Sequence, residues 1–132
     1  MLMIISFSMI IIWACSNNST GNNDNNGGGN TYYAQNIQPI FNASCAGSSC
    51  HIPGPTSGVS LANYNNAINS KGVQYGTNII LPGNASGSPI IDKISSANPK
   101  HGVRMPNGGS PLSQAKIDTL KAWINRGAKE DS

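Results

Sequence analysis

Beyond residue 30 the chain carries few side chains large enough to build a core, and that shortage limits what it can fold into. Over residues 31–132 the bulky apolar set is Phe41, Trp123, four tyrosines and scattered Ile, Leu and Val. A domain of about 100 residues with so thin a core is marginal unless a staple, a metal or a bound group fills its centre. The same stretch sets eight Lys/Arg against four Asp/Glu, +4 with histidines neutral, and contains no basic run. So mild a balance argues against nucleic-acid binding.

The segment ahead of that domain divides in two. Met1 to Ala14 is almost wholly apolar and ends Ile12-Trp13-Ala14-Cys15-Ser16. Its length as a helix is about 21 Å at a rise of about 1.5 Å per residue, short of the ~30 Å hydrocarbon core, so it reads as a secretion signal rather than a span. A small residue followed by cysteine at the end of such a run resembles the lipobox of bacterial lipoproteins. That resemblance implies acylation of Cys15 as the mature N-terminus, and an exported protein. Two features depart from the pattern: no Lys or Arg precedes the run, and Trp13 is bulky for its place. Residues 16–30 are Asn, Ser, Thr and Gly with one charge, Asp24, and no apolar side chain. Such a stretch cannot offset its ordering entropy and reads as a flexible tether. The expected organisation is a signal over 1–14, a lipidated cysteine and tether over 15–30, and a folded domain over 31–132.

Within the domain, Tyr33, Ile37, Ile40 and Phe41 recur at i, i+4, i+7 and i+8 and predict one buried helix face, with Pro39 starting or kinking the helix. Asn42 to Pro55 is a Ser/Gly/Ala/Pro-rich loop. A short helix is expected over Asn63 to Ser70, with Tyr64, Ala67 and Ile68 inward. Another is expected over Ile90 to Ser95, with Ser88 as N-cap and Pro89 as first residue. The last helix has Ser113 as cap, Leu112 and Ile117 at staple positions, and a stripe of Ile117, Leu120, Trp123 and Ile124. Gly127 ends it in a left-handed conformation. No alternating strand pattern is present, so the expected class is all-α. Loops this long in so small a domain fit a chain wrapped around a ligand.

The chemistry-bearing stretch is Cys45-Ala46-Gly47-Ser48-Ser49-Cys50-His51. Two thiols followed at once by histidine can form two thioether bonds to haem vinyl groups while the imidazole binds iron on one face. The usual spacing has two residues between the cysteines; here there are four. All four are small, so the extra length can bulge outward without moving the sulfurs.

With these residues the chain resembles the class I cytochrome c superfamily, in particular small envelope cytochrome domains with a widened cysteine spacing. Three segments carry the resemblance, in the family's order. They are Ile37-Gln38-Pro39-Ile40-Phe41 leading into Cys45…Cys50-His51, then Arg104-Met105-Pro106-Asn107-Gly108-Gly109, then Leu112-Ser113 through Trp123-Ile124 to Gly127-Ala128. The resemblance implies a cytochrome c-like fold of short helices around one covalent haem c. It implies a second axial ligand at Met105, and a closing helix that crosses the first. It also implies electron transfer between redox proteins of the bacterial cell envelope, with no catalytic residues. From the residues themselves, Met105 is the only methionine past the signal, and it sits in a Pro/Gly-rich loop rather than on an apolar stripe where a core methionine belongs. A thioether ligand favours ferrous iron and raises the reduction potential over two imidazoles. His101 is the rival distal ligand, four residues away. Arg104 and Lys100 are candidate counter-charges to the haem propionates.

Other readings differ in class. A haem-free lipoprotein stapled by a Cys45–Cys50 disulfide suits an oxidising compartment, but gives no role to His51, Met105 or the thin core. A zinc set of Cys45, Cys50, His51 and His101 asks adjacent Cys50 and His51 to reach one tetrahedral ion. A haem with a labile sixth ligand would be peroxidase-like or a sensor. That chemistry wants acid–base partners, and the domain offers only Asp92, Asp118, Glu130, Asp131 and His101.

Overall fold

The computed structural model describes residues 29–131; Cys15, the apolar run and most of the tether lie outside the described residues. The first element among the described residues is a π-helical turn, Tyr33–Ile37, which runs directly into α1, Gln38–Ser44. Proline explains the change of pitch. Pro39 has no N–H to offer, and its ring would press on the carbonyl one α-turn back. The wider turn instead bonds Gln38 N–H to Tyr33 O. The expected face survives this: Tyr33, Ile37, Ile40 and Phe41 are all buried.

After a long loop, α2 spans Tyr64–Asn69. Asn63 caps it by accepting the Asn66 N–H at 2.9 Å. A two-residue hairpin follows, β1 (Lys71–Gly72) and β2 (Thr77–Asn78), antiparallel with Lys71 opposite Asn78 and Gly72 opposite Thr77. It adds a small ladder to a chain that the sequence reads as all-α, because strands of two residues carry no periodicity to read. The next helix, α3, is Pro89–Ser95, and α4 is Gln114–Asn125. Two expected caps need correcting. Ser88 and Ser113 hold the N-cap positions, but neither hydroxyl caps its helix. The Ser88 hydroxyl is buried and ties the preceding loop instead, donating to Asn84 O at 2.8 Å and accepting Leu81 N–H at 2.9 Å.

The end of α4 follows the sequence closely. Gly127 takes φ +104. Its N–H bonds Ile124 O at 2.9 Å, and the Ala128 N–H bonds Trp123 O at 3.0 Å. This paired arrangement satisfies two orphan carbonyls, with Ala128 packed against the Trp123 end of the helix. The tail then binds back onto α4, α2 and the π-turn. Its carbonyls accept from Trp123 Nε1 at 2.7 Å, from Tyr64 OH at 3.1 Å and from Tyr33 N–H at 2.9 Å. α4 packs on both α3 and the π-turn, and Trp123 stands 5.5 Å from the Tyr33 ring. The core is this helical layer. The two long loops, 45–63 and 96–113, add Leu61 and Leu112 to it and frame a cleft.

Candidate functional site

One cleft gathers the chemistry-bearing residues. Phe41, Leu61, Ile79, Ile90, Ile94, Leu112 and Leu120 give it an apolar wall, and Cys45, His51 and Met105 also line it. The cleft is open to solvent and holds about 140 Å³ of space.

Cys45 is the C-cap of α1, and its N–H bonds Phe41 O. The thiol is half-buried; burial pushes its pKa up to about 11, with the nearby Cys50 thiol adding and Lys116 opposing. It is therefore protonated near neutrality and inert as a free nucleophile. Cys45 and Cys50 are free thiols.

The loop between them closes on itself. His51 N–H bonds Cys45 O at 3.0 Å, Gly47 N–H bonds Ile52 O at 3.1 Å, and Cys50 N–H bonds Gly47 O at 3.1 Å. Residues 46–50 are consequently extruded and exposed, while Cys45 and His51 are drawn together at the neck. The four small residues do bulge outward, but the second sulfur moves with them, against the expectation that both would keep their places: Cys50 is exposed and outside the lining of the cleft.

His51 is fixed through its other nitrogen. Nδ1 lies 3.1 Å from Val59 O. A carbonyl only accepts, so Nδ1 carries the hydrogen and Nε2 keeps a free lone pair. The segment that presents Val59 is itself tied back. Leu61 N–H bonds His51 O at 2.9 Å, and Thr56 Oγ1 donates to Cys50 O at 2.6 Å.

Met105 enters the cleft wall from the second long loop and is half-buried against the core cluster. Its N–H bonds Lys93 O at 2.7 Å. His101 does not line the cleft; its ring packs edge-on against Tyr75, with centroids 4.7 Å apart. Lys100 and Arg104 are not in the wall either, whereas Lys93 is. Among the described residues no three His, Cys, Asp or Glu side chains gather as a metal cluster, so Cys45, Cys50, His51 and His101 are not assembled as a zinc set.

Sequence reasoning missed Lys93, Val59 and Tyr75. Val59 acts through its carbonyl, which no side chain advertises. Lys93 and Tyr75 act on residues that lie 8 to 26 positions away along the chain.

No protein-family model matches the chain, and no curated protein or solved structure matches it.

The residues present fit a covalently held haem on four counts: an apolar cleft, a thiol in its wall, an imidazole whose Nδ1 is engaged by the Val59 carbonyl, and a thioether in the same wall; Cys50 stands outside that wall. Among the described residues the wall holds no carboxylate; its titratable groups are Cys45, His51, Tyr75 and Lys93.

Proposed function

We propose that the protein is a single-haem c-type cytochrome, an electron carrier of the bacterial cell envelope. What carries the reading is the convergence of Cys45, His51 and Met105, from α1 and the two long loops, on one apolar cleft. The group would supply a one-electron ferric/ferrous couple. Everything else falls to the chain. Cys45, in the wall, and Cys50, exposed on the bulge that follows it, would hold the group covalently as thioethers. His51 offers Nε2, and the Val59 carbonyl keeps that tautomer and orientation. Met105 offers its sulfur, and the apolar wall excludes water, both of which favour the reduced state. Lys93 is the one cation in the wall.

The same reading places Cys15 as a lipid anchor, with residues 16–30 as the tether between membrane and domain. Redox proteins of the envelope are the partners. Cys15→Ser should then release the protein to the soluble envelope fraction with its haem intact; a wild type that is already soluble and starts elsewhere would refute the anchor.

The deciding measurement is the visible spectrum of protein made with a haem-attachment system. The denatured chain should keep its haem, and the pyridine haemochrome should report two saturated vinyls. Ferric protein should show the weak far-red sulfur-to-iron charge-transfer band. Met105→Ala should abolish that band, lower the potential and admit cyanide or carbon monoxide, and His101→Ala should do none of these. A haem-free domain refutes the reading, and a high-spin wild type that reacts readily with peroxide would replace the carrier by a peroxidase-like enzyme.

A further inference from the structure

The segment that carries Met105 has no secondary structure of its own from Ser96 to Ser113, yet a ligand loop must keep one sulfur in one place. What holds it is a single helix turn. The Lys93 ammonium donates to His101 O at 2.8 Å and to Val103 O, and the Lys93 carbonyl accepts the Met105 N–H at 2.7 Å. One residue thus grips positions 101, 103 and 105. The carbonyl is one of the four that a helix leaves unpaired at its C-terminal end, so it is available without loss to α3.

Two further observations agree. Gly102 takes φ +63 and folds flat over the ammonium; a Cβ there would stand 3.1 Å from Gln74 Oε1 and 3.3 Å from Lys93 Nζ. Next to Lys93, Asp92 Oδ2 accepts both the Lys100 N–H at 2.8 Å and the Tyr75 hydroxyl. A solvated lysine would keep its rotamer freedom. Here the stem lies in the cleft wall and the head is spent on two carbonyls, as charge-assisted bonds.

We propose that Lys93 is a positioning residue: it straps the 101–105 loop to α3 and thereby fixes where the Met105 sulfur enters the cleft. The assignment of a ligand to that sulfur rests on the cytochrome reading above; the strap does not.

The test compares haem-loaded wild type with Lys93→Leu, which keeps an apolar stem and removes the donor, and with Lys93→Arg, which restores donors. Lys129→Leu, an exposed lysine outside the cleft, controls for charge. Lys93→Leu should retain full covalent haem, lose the far-red band and bind cyanide on the order of tenfold faster. Its Met105 amide should exchange hydrogen on the order of tenfold faster while α4 amides keep wild-type rates. Lys93→Arg should recover the band, and Lys129→Leu should match wild type. Gly102→Ala, which disturbs the strap from the loop side and leaves α3 untouched, should weaken the same band, and it serves if Lys93→Leu does not fold. Wild-type band and exchange in Lys93→Leu or, failing that, in Gly102→Ala would overturn the strap with the cytochrome reading intact. If wild type itself lacks the band while exchange still accelerates in Lys93→Leu, the strap stands and the cytochrome reading falls.

Discussion

At Gly47 the backbone takes φ +147, and a Cβ there would lie 3.1 Å from the Cys50 sulfur. Both facts follow from the four-residue gap between the cysteines. The extruded loop has to reverse within a few residues to return the chain to His51, and only glycine does so without strain and without crowding the thiol. Gly47→Val should cost on the order of 1–3 kcal/mol in backbone strain and displace Cys50. The measurable result is less covalent haem per chain, with one saturated vinyl rather than two in what remains. Equal yield and two saturated vinyls would show that the bulge tolerates a side chain. Tyr33 gives a second test at this scale. Its ring is packed among Phe41, Tyr64 and Trp123, and its hydroxyl is buried with no partner among the described residues. Burial, reinforced by Glu130, raises the phenol pKa far above its ordinary value, so it stays neutral. Removing an unsatisfied buried hydroxyl is neutral to stabilising, by up to about 1 kcal/mol. Tyr33→Phe should therefore unfold at the same or higher denaturant concentration, and a clear loss of stability would mean that the hydroxyl is partnered.

Among the elements, α3 and the hairpin set how the second loop responds to pH. The Tyr75 hydroxyl bonds Asp92, whose carboxylate also takes the Lys100 N–H and faces Lys93 and His101. Asp92 is held below its ordinary value, chiefly by the Tyr75 hydrogen bond; Tyr75 is pushed up to about 12, chiefly by burial and then by Asp92. A depressed carboxylate adds stability above its unfolded pKa of ~3.9 and loses it as pH falls through the lower folded value. A raised phenol adds stability below its unfolded pKa of ~10 and loses it as pH rises through about 12. Loop protection should thus be flat between about pH 4 and 10 and fall at both ends. Tyr75→Phe should abolish the alkaline fall, as read by amide exchange across 99–105; a wild type and variant with the same alkaline profile would refute the clasp. The sequence could not announce this pair, since Tyr75 and Asp92 are 17 positions apart. By contrast, α4 was legible nearly to the residue, because its stripe, its staple and Gly127 are all local signals. Ser88 misled for the opposite reason: position in sequence marks a helix start, while its hydroxyl goes to Asn84 O and Leu81 N–H, which the folded chain brings to it.

For the whole molecule, the shortage of large apolar residues and the apolar cleft are both compatible with a bound group that completes the core, as proposed above. Of that cleft the sequence marked Cys45, His51 and Met105, because those signals are compositional and local. The cleft's shape was not legible, since its walls come from α1, α3, α4, the hairpin and both loops at once. If a covalent group fills it, the domain should need that group to fold well. The wall residues Phe41, Leu61, Ile79, Ile90, Ile94, Leu112 and Leu120 are themselves buried, so what the group would add is contact with the cleft face and burial of its own apolar surface; ~100 Å² so removed from water is worth roughly 2.5 kcal/mol. Set against a total near 5–15 kcal/mol, that matters for a small domain. A Cys45→Ser/Cys50→Ser double variant, unable to hold the group covalently, should therefore melt well below the loaded protein. A deficit of about 2–3 kcal/mol corresponds to roughly 10–20 °C for a domain of this size. The variant should also bind a hydrophobic dye in the cleft that the loaded protein excludes. Because neither thiol makes a packing contribution comparable to the predicted loss, the two serine substitutions alone would shift the midpoint by only a few degrees. An unloaded double variant that melts within that margin of the loaded protein would show that the core is complete without a cofactor, and the cleft would then need another occupant.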